Sequence, residues 1–334
     1  MEANEVTAKE QPIGNLVTFR PDIKVLDCTI RDGGLMNNHK FSHDFVKAVY
    51  QACVAAGIDY MEMGYVNSKK AFPKSEFGPW KHCDEEDIRK AVGDNDTGLK
   101  LSMMADAEKS DFKQDIKPKQ DSVIDMIRVA TYIHQIPTAI EMIEDAHAKG
   151  YETTCNLMAI SKVSEKDLLD AINAIAQSPV DTIYIVDSFG ALYPEQIRRL
   201  TTKYLEIARQ YRKNIGIHAH NNQALAFANT TEALIYGASS ADSSIAGLGR
   251  GAGNCRTELL LGFLRNPKYN LRPLIETIAK WVEPLRKELK WGFAIPYMIT
   301  GQLNDHPRAA MKIMENEENP DILKFFDEMT ENAI

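Results

Sequence analysis

Three polar segments of the chain carry residue types that bind metal ions in enzymes. Asp32 lies in the run RDGG at residues 31–34, and His218 and His220 are separated by a single alanine. Because successive side chains of a β-strand point to opposite faces, two histidines at this spacing point the same way. The third segment, GLGRGAGN, ends in Asn254. Two neutral imidazoles and one carboxylate, with coordination positions left open, suit a catalytic divalent ion.

Each of these segments also has an ordinary structural explanation. Asp-Gly is a common turn pair, so Asp32 could simply shape a turn. His218 and His220 could be packed or exposed histidines, and Asn254 could accept a left-handed backbone conformation in a glycine-rich loop. The three segments follow the first, seventh and eighth predicted strands, however, and their joint occurrence at strand ends favours a functional site.

The elements that must position these residues alternate between short β-type runs and amphipathic helices. The predicted strands are Ile23–Ile30, Tyr60–Val66, Leu99–Ala105, Met126–Thr131, Glu152–Ala159, Asp181–Asp187, Asn214–His220 and Ser239–Ala246. The clearest predicted helices are His43–Ala56, Ile136–Ala148, Glu165–Gln177 and Pro194–Tyr211. The strands are rich in Val, Ile, Met and Thr, as is typical of strands that are buried on both faces.

Eight consecutive βα units over roughly 240 residues predict an α/β fold, the (β/α)₈ TIM barrel. A doubly wound open sheet is the alternative, and it predicts a GxGxxG turn after the first strand. The sequence there is RDGGLM, which favours the barrel. In a TIM barrel the catalytic residues lie where strands end and the following loops begin, and the three polar segments lie at such places.

The sequence outside the barrel divides into two predicted parts. Residues 1–20 form a polar tail, residues 21–270 the barrel domain, and residues 271–334 a helical extension. The predicted helices of the extension are Leu274–Leu289, Ile295–Leu303, Pro307–Glu315 and Asp321–Met329. The extension has no catalytic motif of its own, and the sequence leaves open whether it packs on the barrel or on a partner.

The composition excludes several classes of protein. The chain has 334 residues, of which 44% are hydrophobic and 26% charged, the balance of a globular protein. A net charge of -8 argues against binding to duplex nucleic acid. No apolar run reaches the roughly 20 residues that span a membrane, and the N-terminus does not resemble a secretion signal. Five scattered cysteines, none in a CxxC pair, fit a reduced protein in the cytoplasm.

The three polar segments resemble the signatures of a known enzyme family. The runs TIRDG at residues 29–33, HAHN at residues 218–221 and GLG to GN within residues 247–254 are similar to those of the DRE-TIM metallolyases. This group includes 4-hydroxy-2-oxovalerate aldolase, 3-hydroxy-3-methylglutaryl-CoA lyase, isopropylmalate synthase and homocitrate synthase. The resemblance covers about Val25 to Gly262, the whole predicted barrel. It implies a TIM-barrel enzyme that makes or breaks a carbon–carbon bond next to an enolate.

The resemblance also implies a role for each polar residue. The implied metal ligands are Asp32, His218, His220 and Asn254, the last of which could instead stand just behind the ligands. The expected ion is Mn²⁺, with Mg²⁺, Co²⁺ or Zn²⁺ as alternatives. Arg31 is similar to the arginine that stabilises the enolate oxygen. Glu62 and Asp187, near the ends of the second and sixth predicted strands, are predicted catalytic residues, and the alternative is that they support their neighbours.

The aldolases are the branch of the family that the chain resembles most. The run GLGRGAGN differs from their usual GLGAGAGN at one position, where this chain has Arg250. Two further positions depart from that branch: Leu35 replaces the catalytic base, and Phe293 replaces a tyrosine near the substrate. His39 and Tyr297 are in register at neighbouring positions. Because general acid–base catalysis contributes about 10²–10⁴-fold, Leu35 predicts either a different proton carrier or a different reaction.

The predicted reaction joins a 2-oxo acid to an aldehyde or acyl co-substrate, or separates them. The ion would stabilise the negative charge of the enolate, and Arg31 would add a fixed cation beside the same oxygen. Two alternatives remain open: a Claisen-type transferase that condenses an acyl-CoA, and a catalytically altered barrel that acts as a binding partner. The sequence is compatible with a homodimer, and the resemblance gives slight support to an aldehyde dehydrogenase partner.

A long loop, residues 67–82, follows the second predicted strand. Its lysines are Lys69, Lys70, Lys74 and Lys81. Such a loop could bind an anionic or sugar-like substrate, since long βα loops often set substrate choice. A solvated loop with a few packed aromatic residues is the favoured alternative.

Overall fold

Eight parallel strands form a closed barrel in the computed structural model, which describes residues 20–316 and 320–331. The strands are β1 (Lys24–Asp27), β2 (Tyr60–Tyr65), β3 (Lys100–Asp106), β4 (Met126–Thr131), β5 (Glu152–Leu157), β6 (Thr182–Asp187), β7 (Asn214–Ala219) and β8 (Ser240–Ser243). Neighbouring strands follow the order of the chain, and pairing of β8 with β1 closes the barrel. The predicted TIM barrel is confirmed. The predicted tail, residues 1–20, lies outside the described residues except for Arg20.

Helices alternate with the strands and surround the barrel. The α-helices are α1 (Thr29–Gly33), α2 (His43–Ala56), α3 (Glu85–Val92), α4 (Phe112–Asp115), α5 (Ile136–Ala148), α6 (Glu165–Gln177), α7 (Pro194–Gln210), α8 (Ala226–Ile235), α9 (Thr257–Leu264), α10 (Leu271–Thr277), α11 (Glu283–Leu289), α12 (Ile295–Gln302), α13 (Arg308–Asn316) and α14 (Ile322–Glu331). Their apolar faces pack against the outer side of the strands in one large core. Gly57 ends α2 with a left-handed backbone (φ 74), and a Cβ atom there would lie 2.5 Å from the carbonyl oxygen of Lys268.

The first and last strands are shorter than the sequence predicts. β1 ends at Asp27 rather than at Ile30, and β8 ends at Ser243 rather than at Ala246. The carboxylate of Asp27 accepts hydrogen bonds from the backbone N and Oγ1 of Thr29, at 3.1 and 2.8 Å, at the point where α1 begins. The residues that follow Thr29 therefore lie on a helical turn, which corrects the predicted end of the first strand, and Asp32 follows that strand as expected.

The C-terminal helical extension packs on the barrel, which answers the question that the sequence left open. A π-helical turn, Ile278–Val282, joins α10 to α11, and α10 packs against α2. The last three helices share a small core made of Tyr297, Ile299, Ala310 and Phe325 together with Ala252 from the loop after β8. The Nδ2 atom of Asn304 also donates to the carbonyl oxygen of Ser161, beyond β5 (2.9 Å). The extension thus lies over the barrel mouth, meaning the end formed by the carboxyl ends of the strands.

Candidate metal centre

Asp32 is held by three donors at the barrel mouth. Its Oδ1 accepts a hydrogen bond from Arg31 Nη1 (2.5 Å). Its Oδ2 accepts hydrogen bonds from Asn254 Nδ2 (2.9 Å) and from the backbone N of Arg250 (3.1 Å). Burial by itself would raise the pKa of Asp32, but Arg31, His220, His218 and Arg250 together outweigh burial and hold that pKa well below its usual value. The side chain is therefore a fixed carboxylate.

β7 and β8 bring His218 and His220 beside this carboxylate. The Nδ1 atom of His218 lies 2.9 Å from Oδ2 of Asp242 on β8, so that its Nε2 remains for another partner. His220 follows β7 directly and forms a β-bridge with Asn254. The two imidazole centroids are 5.0 Å apart. One potential ligand atom from each of Asp32, His218 and His220 lies within 4.8 Å of the other two.

The chemistry of the unsatisfied atoms around Asp32 fits a metal ion. Among the described residues, three buried atoms near it have no hydrogen-bond partner, namely His218 Nε2, His220 Nδ1 and Asn254 Oδ1. Buried polar atoms nearly always have partners, so a cluster of such atoms calls for an explanation. Burial lowers the pKa of His220 well below its usual value, which keeps the imidazole neutral and suited to ligation. Neutral nitrogens and oxygens gathered around one carboxylate are the donor set that a divalent cation takes.

A chain of buried charges connects Arg31 to His218 inside the barrel. Arg31 Nε donates to Glu62 Oε2 (2.7 Å), and the same oxygen lies 3.1 Å from Arg128 Nη1. Arg128 Nη2 donates in turn to Asp242 Oδ2 (2.7 Å), which also contacts His218. Arg31 also pairs with Asp32, so that Arg31 and Arg128 share three carboxylates: those of Asp32, Glu62 and Asp242. The network fixes the orientation of Arg31 and, through Asp242, that of His218.

Asp242 and Arg128 are residues of the centre that the sequence analysis missed. A carboxylate that accepts from the far nitrogen of a ligating histidine fixes the orientation of the ring and increases its basicity. Burial would raise the pKa of Asp242, but Arg128 and His218 together lower it, so that the acceptor is charged. The sequence does hint at both residues, because each is a charged residue within a predicted buried strand and a buried charge requires a partner.

A pocket opens beside the two histidines, and its two sides differ. The polar wall consists of Arg31, Asp32, Ser188, His218, His220 and Arg250. The apolar wall consists of Leu35, Tyr65, Met104, Ala130 and Met158, which pack against one another. His306, from the segment between α12 and α13, also lines the pocket. The extension therefore contributes to the pocket, although its sequence carries no catalytic motif.

Glu62 and Asp187 do not line the pocket. Glu62 is fully buried between two arginines, and its only described contacts are with them. Asp187 accepts hydrogen bonds from the backbone N atoms of Ala191 (2.9 Å) and Leu192 (3.4 Å), and burial raises its pKa to about 7. With these contacts, Glu62 positions the two arginines and Asp187 positions the loop that follows β6. A catalytic role for either residue stays a prediction.

The positions that depart from the aldolase branch lie in different surroundings. Leu35 is part of the apolar wall. Phe293 is 52% exposed and does not line the pocket. Tyr297 is buried in the core of the extension, and His39 lies behind the wall with its ring 5.2 Å from that of Tyr65. None of these four places a proton carrier in the pocket.

The loop at residues 67–82 does not reach the pocket. Lys69 and Lys74 both pair with Asp84, at 2.6 and 2.7 Å. The ammonium of Lys81 is buried 4.2 Å from the centroid of the Tyr65 ring, on the far side of the apolar wall. The packing agrees with the favoured alternative, a loop with packed aromatic residues, rather than with a substrate-binding loop.

Comparison with known proteins identifies one family and many similar chains, among them the three that follow. The HMGL-like family model matches residues 22–278. Oxaloacetate decarboxylase of Mycobacterium tuberculosis (strain ATCC 25618 / H37Rv) is 34% identical over 247 residues, 72% of this chain and 69% of that protein. 4-Hydroxy-2-oxovalerate aldolase of Geobacillus genomosp. 3 is 27% identical over 242 residues, 72% of this chain and 70% of that protein. The N-terminal domain of a Bacteroides vulgatus protein, described as a presumed aldolase, has a TM-score of 0.74 and 28% identity and covers 90% of this chain and 100% of that chain.

The protein is a TIM-barrel protein with a candidate metal centre, made of one carboxylate and two histidines, at the mouth of the barrel. The chain belongs to the HMGL-like family. It is an enzyme of the lyase class, as its relatives are. Among the described residues, no helix combines the length and the apolar character needed to cross a membrane.

Proposed function

We propose that the protein is a divalent-metal-dependent aldolase that breaks or forms a carbon–carbon bond of a 2-oxo acid through its enolate. The observation that carries this proposal is the cluster of buried, unpartnered lone-pair atoms around Asp32. The names of the relatives, an aldolase and a decarboxylase of 2-oxo acids, agree with a common enolate chemistry. The proposed substrates are a 2-oxo acid and an aldehyde, as for the 4-hydroxy-2-oxovalerate aldolases.

The ligands in this proposal are Asp32, His218 and His220, with the Oδ1 atom of Asn254 beside them. The proposed ion is Mn²⁺, and Mg²⁺, Co²⁺ and Zn²⁺ are the alternatives to test. When bound, the ion supplies Lewis-acid stabilisation of the charge that develops on the keto oxygen.

Arg31 adds a second source of electrostatic stabilisation. Its Nε and Nη1 atoms are fixed by Glu62 and Asp32, so the guanidinium holds one orientation at the edge of the pocket. A cation that is already in place does not have to reorganise when charge develops on the substrate oxygen. The apolar wall excludes water from the opposite side, which strengthens this interaction.

Leu35 favours a second candidate reaction, loss of CO₂ from a 2-oxo acid that carries a carboxylate at C3. Aldol cleavage requires a base to take the proton of the 4-hydroxyl group, and leucine cannot do so. In decarboxylation, the electron pair of the C3–carboxylate bond passes to the enolate, CO₂ departs without loss of a proton, and water then protonates C3. The relative of 34% identity is named for a decarboxylase of this type.

Exchange of the methyl protons of pyruvate with D₂O, followed by proton NMR, tests the proposed enolate chemistry. We expect exchange with Mn²⁺ that stops when the ion is chelated and is absent from an Asp32→Asn variant. An Asp170→Asn variant, which changes an exposed aspartate on α6, should exchange like the wild-type protein. Absence of exchange with all four ions and with several 2-oxo acids would overturn the proposal.

Comparison of two substrates then separates the two candidate reactions. Aldol cleavage predicts release of aldehyde from 4-hydroxy-2-oxovalerate, and decarboxylation predicts release of CO₂ from oxaloacetate above the rate given by the free ion. The cytoplasmic location, the homodimer, the dehydrogenase partner and the domain boundary at residue 270 stay predictions.

A further inference from the structure

Arg250 is a side chain in the pocket that the proposed chemistry does not use. It stands in the loop after β8, where its backbone N already serves the centre by donating to Asp32 Oδ2 (3.1 Å). That backbone contact is available to any residue type, since it does not involve the side chain. The side chain itself extends across the polar wall, where Nη2 donates to the carbonyl oxygen of Ser188 (2.6 Å) and lies 3.5 Å from Nε2 of His220.

Unlike the guanidinium groups of Arg31 and Arg128, that of Arg250 has no acidic partner among the described residues. Arg31 and Arg128 each pair with two carboxylates. In the part of the chain that the structure describes, no carboxylate lies within 4.0 Å of the nitrogens of the Arg250 side chain, and its buried Nε has no hydrogen-bond partner. A desolvated cation without an anion is unfavourable, so such a group calls for an anionic ligand.

His306 brings a second donor to the same point. Its Nδ1 accepts a hydrogen bond from the backbone N of Arg308 (3.1 Å). A neutral imidazole that accepts at Nδ1 carries its proton on Nε2. Burial, Arg250 and Arg308 lower the pKa of His306 to about 4, so the ring is neutral at pH 7. Nε2 lies 3.4 Å from Arg250 Nη1, and two N–H groups that face each other at this distance are satisfied by an acceptor that bridges them.

We propose that Arg250 and His306 bind a second carboxylate of the substrate, so that the preferred substrates are dicarboxylic 2-oxo acids. This inference rests on the proposed function, because it takes the 2-oxo acid end of the molecule to lie at Asp32 and the two histidines. The distal carboxylate then lies between the guanidinium and the imidazole Nε2–H. One cation and one neutral donor match the single charge of a carboxylate, and guanidinium is the cation that binds carboxylates most specifically.

Titration calorimetry with matched ligand pairs tests this proposal. The protein is loaded with Mg²⁺, and oxaloacetate is compared with 2-oxobutanoate, and 2-oxoglutarate with 2-oxopentanoate. We expect at least one dicarboxylate to bind about tenfold to a hundredfold more tightly than its monocarboxylate partner, the range typical of hydrogen bonds to charged groups. An Arg250→Met variant should lose this preference while its affinity for the monocarboxylate stays the same. The second carboxylate of 2-oxoglutarate is not at C3 and cannot leave as CO₂ by the route proposed above, so this pair measures binding without turnover.

Three further variants keep the result interpretable. Arg198→Met changes an exposed arginine of α7 and should leave both affinities unchanged. His306→Phe should lower dicarboxylate affinity alone, and His306→Gln, which retains an N–H donor, should restore part of it. Equal binding within both pairs by the wild-type protein would overturn the inference. Equal loss of both ligands by Arg250→Met would overturn it as well, since the arginine would then bind the shared 2-oxo acid end.

The two proposals can fail separately. If pyruvate exchange is absent and no 2-oxo acid binds, the proposed function has failed. If exchange and monocarboxylate binding are present without a preference for the second carboxylate, only the role of Arg250 and His306 has failed.

Discussion

The two walls of the pocket are made from opposite sides of one barrel, and the ionised side chains lie on one of them. The polar wall, from β1 and β6–β8, carries a carboxylate, two imidazoles and two guanidinium groups. The apolar wall, from β2–β5 and Leu35, packs methionine, leucine and aromatic side chains into a small cluster. One wall is built to hold charge in place, and the other to exclude water from the substrate carbons. Leu35 stands on the apolar wall, although the aldolases that the sequence resembles have a base there.

The two walls are expected to have different roles in catalysis. The groups proposed to stabilise an enolate are all on the polar wall and do not depend on residue 35. Aldol cleavage also needs a base, which the aldolases have at the position of Leu35 on the apolar wall. This chain has no base at that position. The centre can therefore support enolate formation in general, while the apolar wall decides which bond is broken.

Removing the carboxylate of the polar wall should have the largest effect. In Asp32→Asn, an amide replaces the only charged predicted ligand, and Arg31 loses a partner at 2.5 Å. We expect the metal affinity to fall by more than the about 10–100-fold that is typical when a group behind a ligand is lost. Metal content after dialysis, measured by plasma mass spectrometry, provides the readout. Metal content equal to that of the Asp170→Asn control would show that the polar wall does not bind the ion.

Adding a base to the apolar wall should have the next largest effect. A Leu35→His variant should raise the rate of 4-hydroxy-2-oxovalerate cleavage by about 10²–10⁴-fold, the usual contribution of general acid–base catalysis. Metal content should not change, because residue 35 is not among the predicted ligands. Leu35→Met is the matched control and should leave the cleavage rate near its starting value. If the histidine variant cleaves no faster than the methionine variant, the base is supplied from elsewhere.

Weakening the support of the polar wall should have a smaller effect. In Asp242→Asn, the Nδ1 atom of His218 loses a charged acceptor and Arg128 loses one of its two partners. We expect the dissociation constant for Mn²⁺, followed by electron paramagnetic resonance, to rise about 10–100-fold. A melting curve for each protein separates this effect from unfolding. An unchanged dissociation constant would mean that Asp242 serves the barrel interior and not the ion.

The apolar wall should show its own signature in the pH dependence of stability. Burial lowers the pKa of Lys81, behind Tyr65, from its usual 10.5 to about 8. Between these two values the unfolded protein binds more protons than the folded protein, so wild-type stability gains about 1.4 kcal/mol for each pH unit as the pH rises from 8 to 10.5. A Lys81→Met variant lacks this gain. Urea unfolding should therefore show a smaller difference in the free energy of unfolding, Lys81→Met minus wild type, at pH 10 than at pH 7.5. For the exposed Lys74→Met variant, this difference should change little between the two pH values.

The barrel was predictable because its elements repeat a pattern that few folds share. Most of the buried strands are short runs rich in branched or sulfur-containing residues, and most are followed by a helix with an apolar face. The ends of β1 and β8 were predicted too late in the chain because polar side chains take over the backbone donors there, as Thr29 Oγ1 does for the backbone N of Ile245 (2.8 Å). Thr29 is bound by the carboxylate of Asp27 within the run that looked like strand, so the chain turns into α1 there.

The candidate site was predictable where its residues form local motifs, and not where they meet only in space. Asp32, His218 and His220 lie in short runs with a recognisable spacing. Asp242 is a single carboxylate in a strand, and only the pairing of β7 with β8 shows that it faces His218. His306 is harder still, because it reaches the pocket only when the extension folds back over the barrel mouth.

In the proposed function, Asp32, His218 and His220 would hold one ion, which would stabilise the charge on the keto oxygen of a 2-oxo acid. Paramagnetic relaxation of ¹³C-labelled pyruvate by enzyme-bound Mn²⁺ tests this most directly. We expect C1 and C2 to relax faster than C3 and the enhancement to disappear in Asp32→Asn. Equal enhancement of all three carbons, or enhancement that persists in the variant, would contradict it.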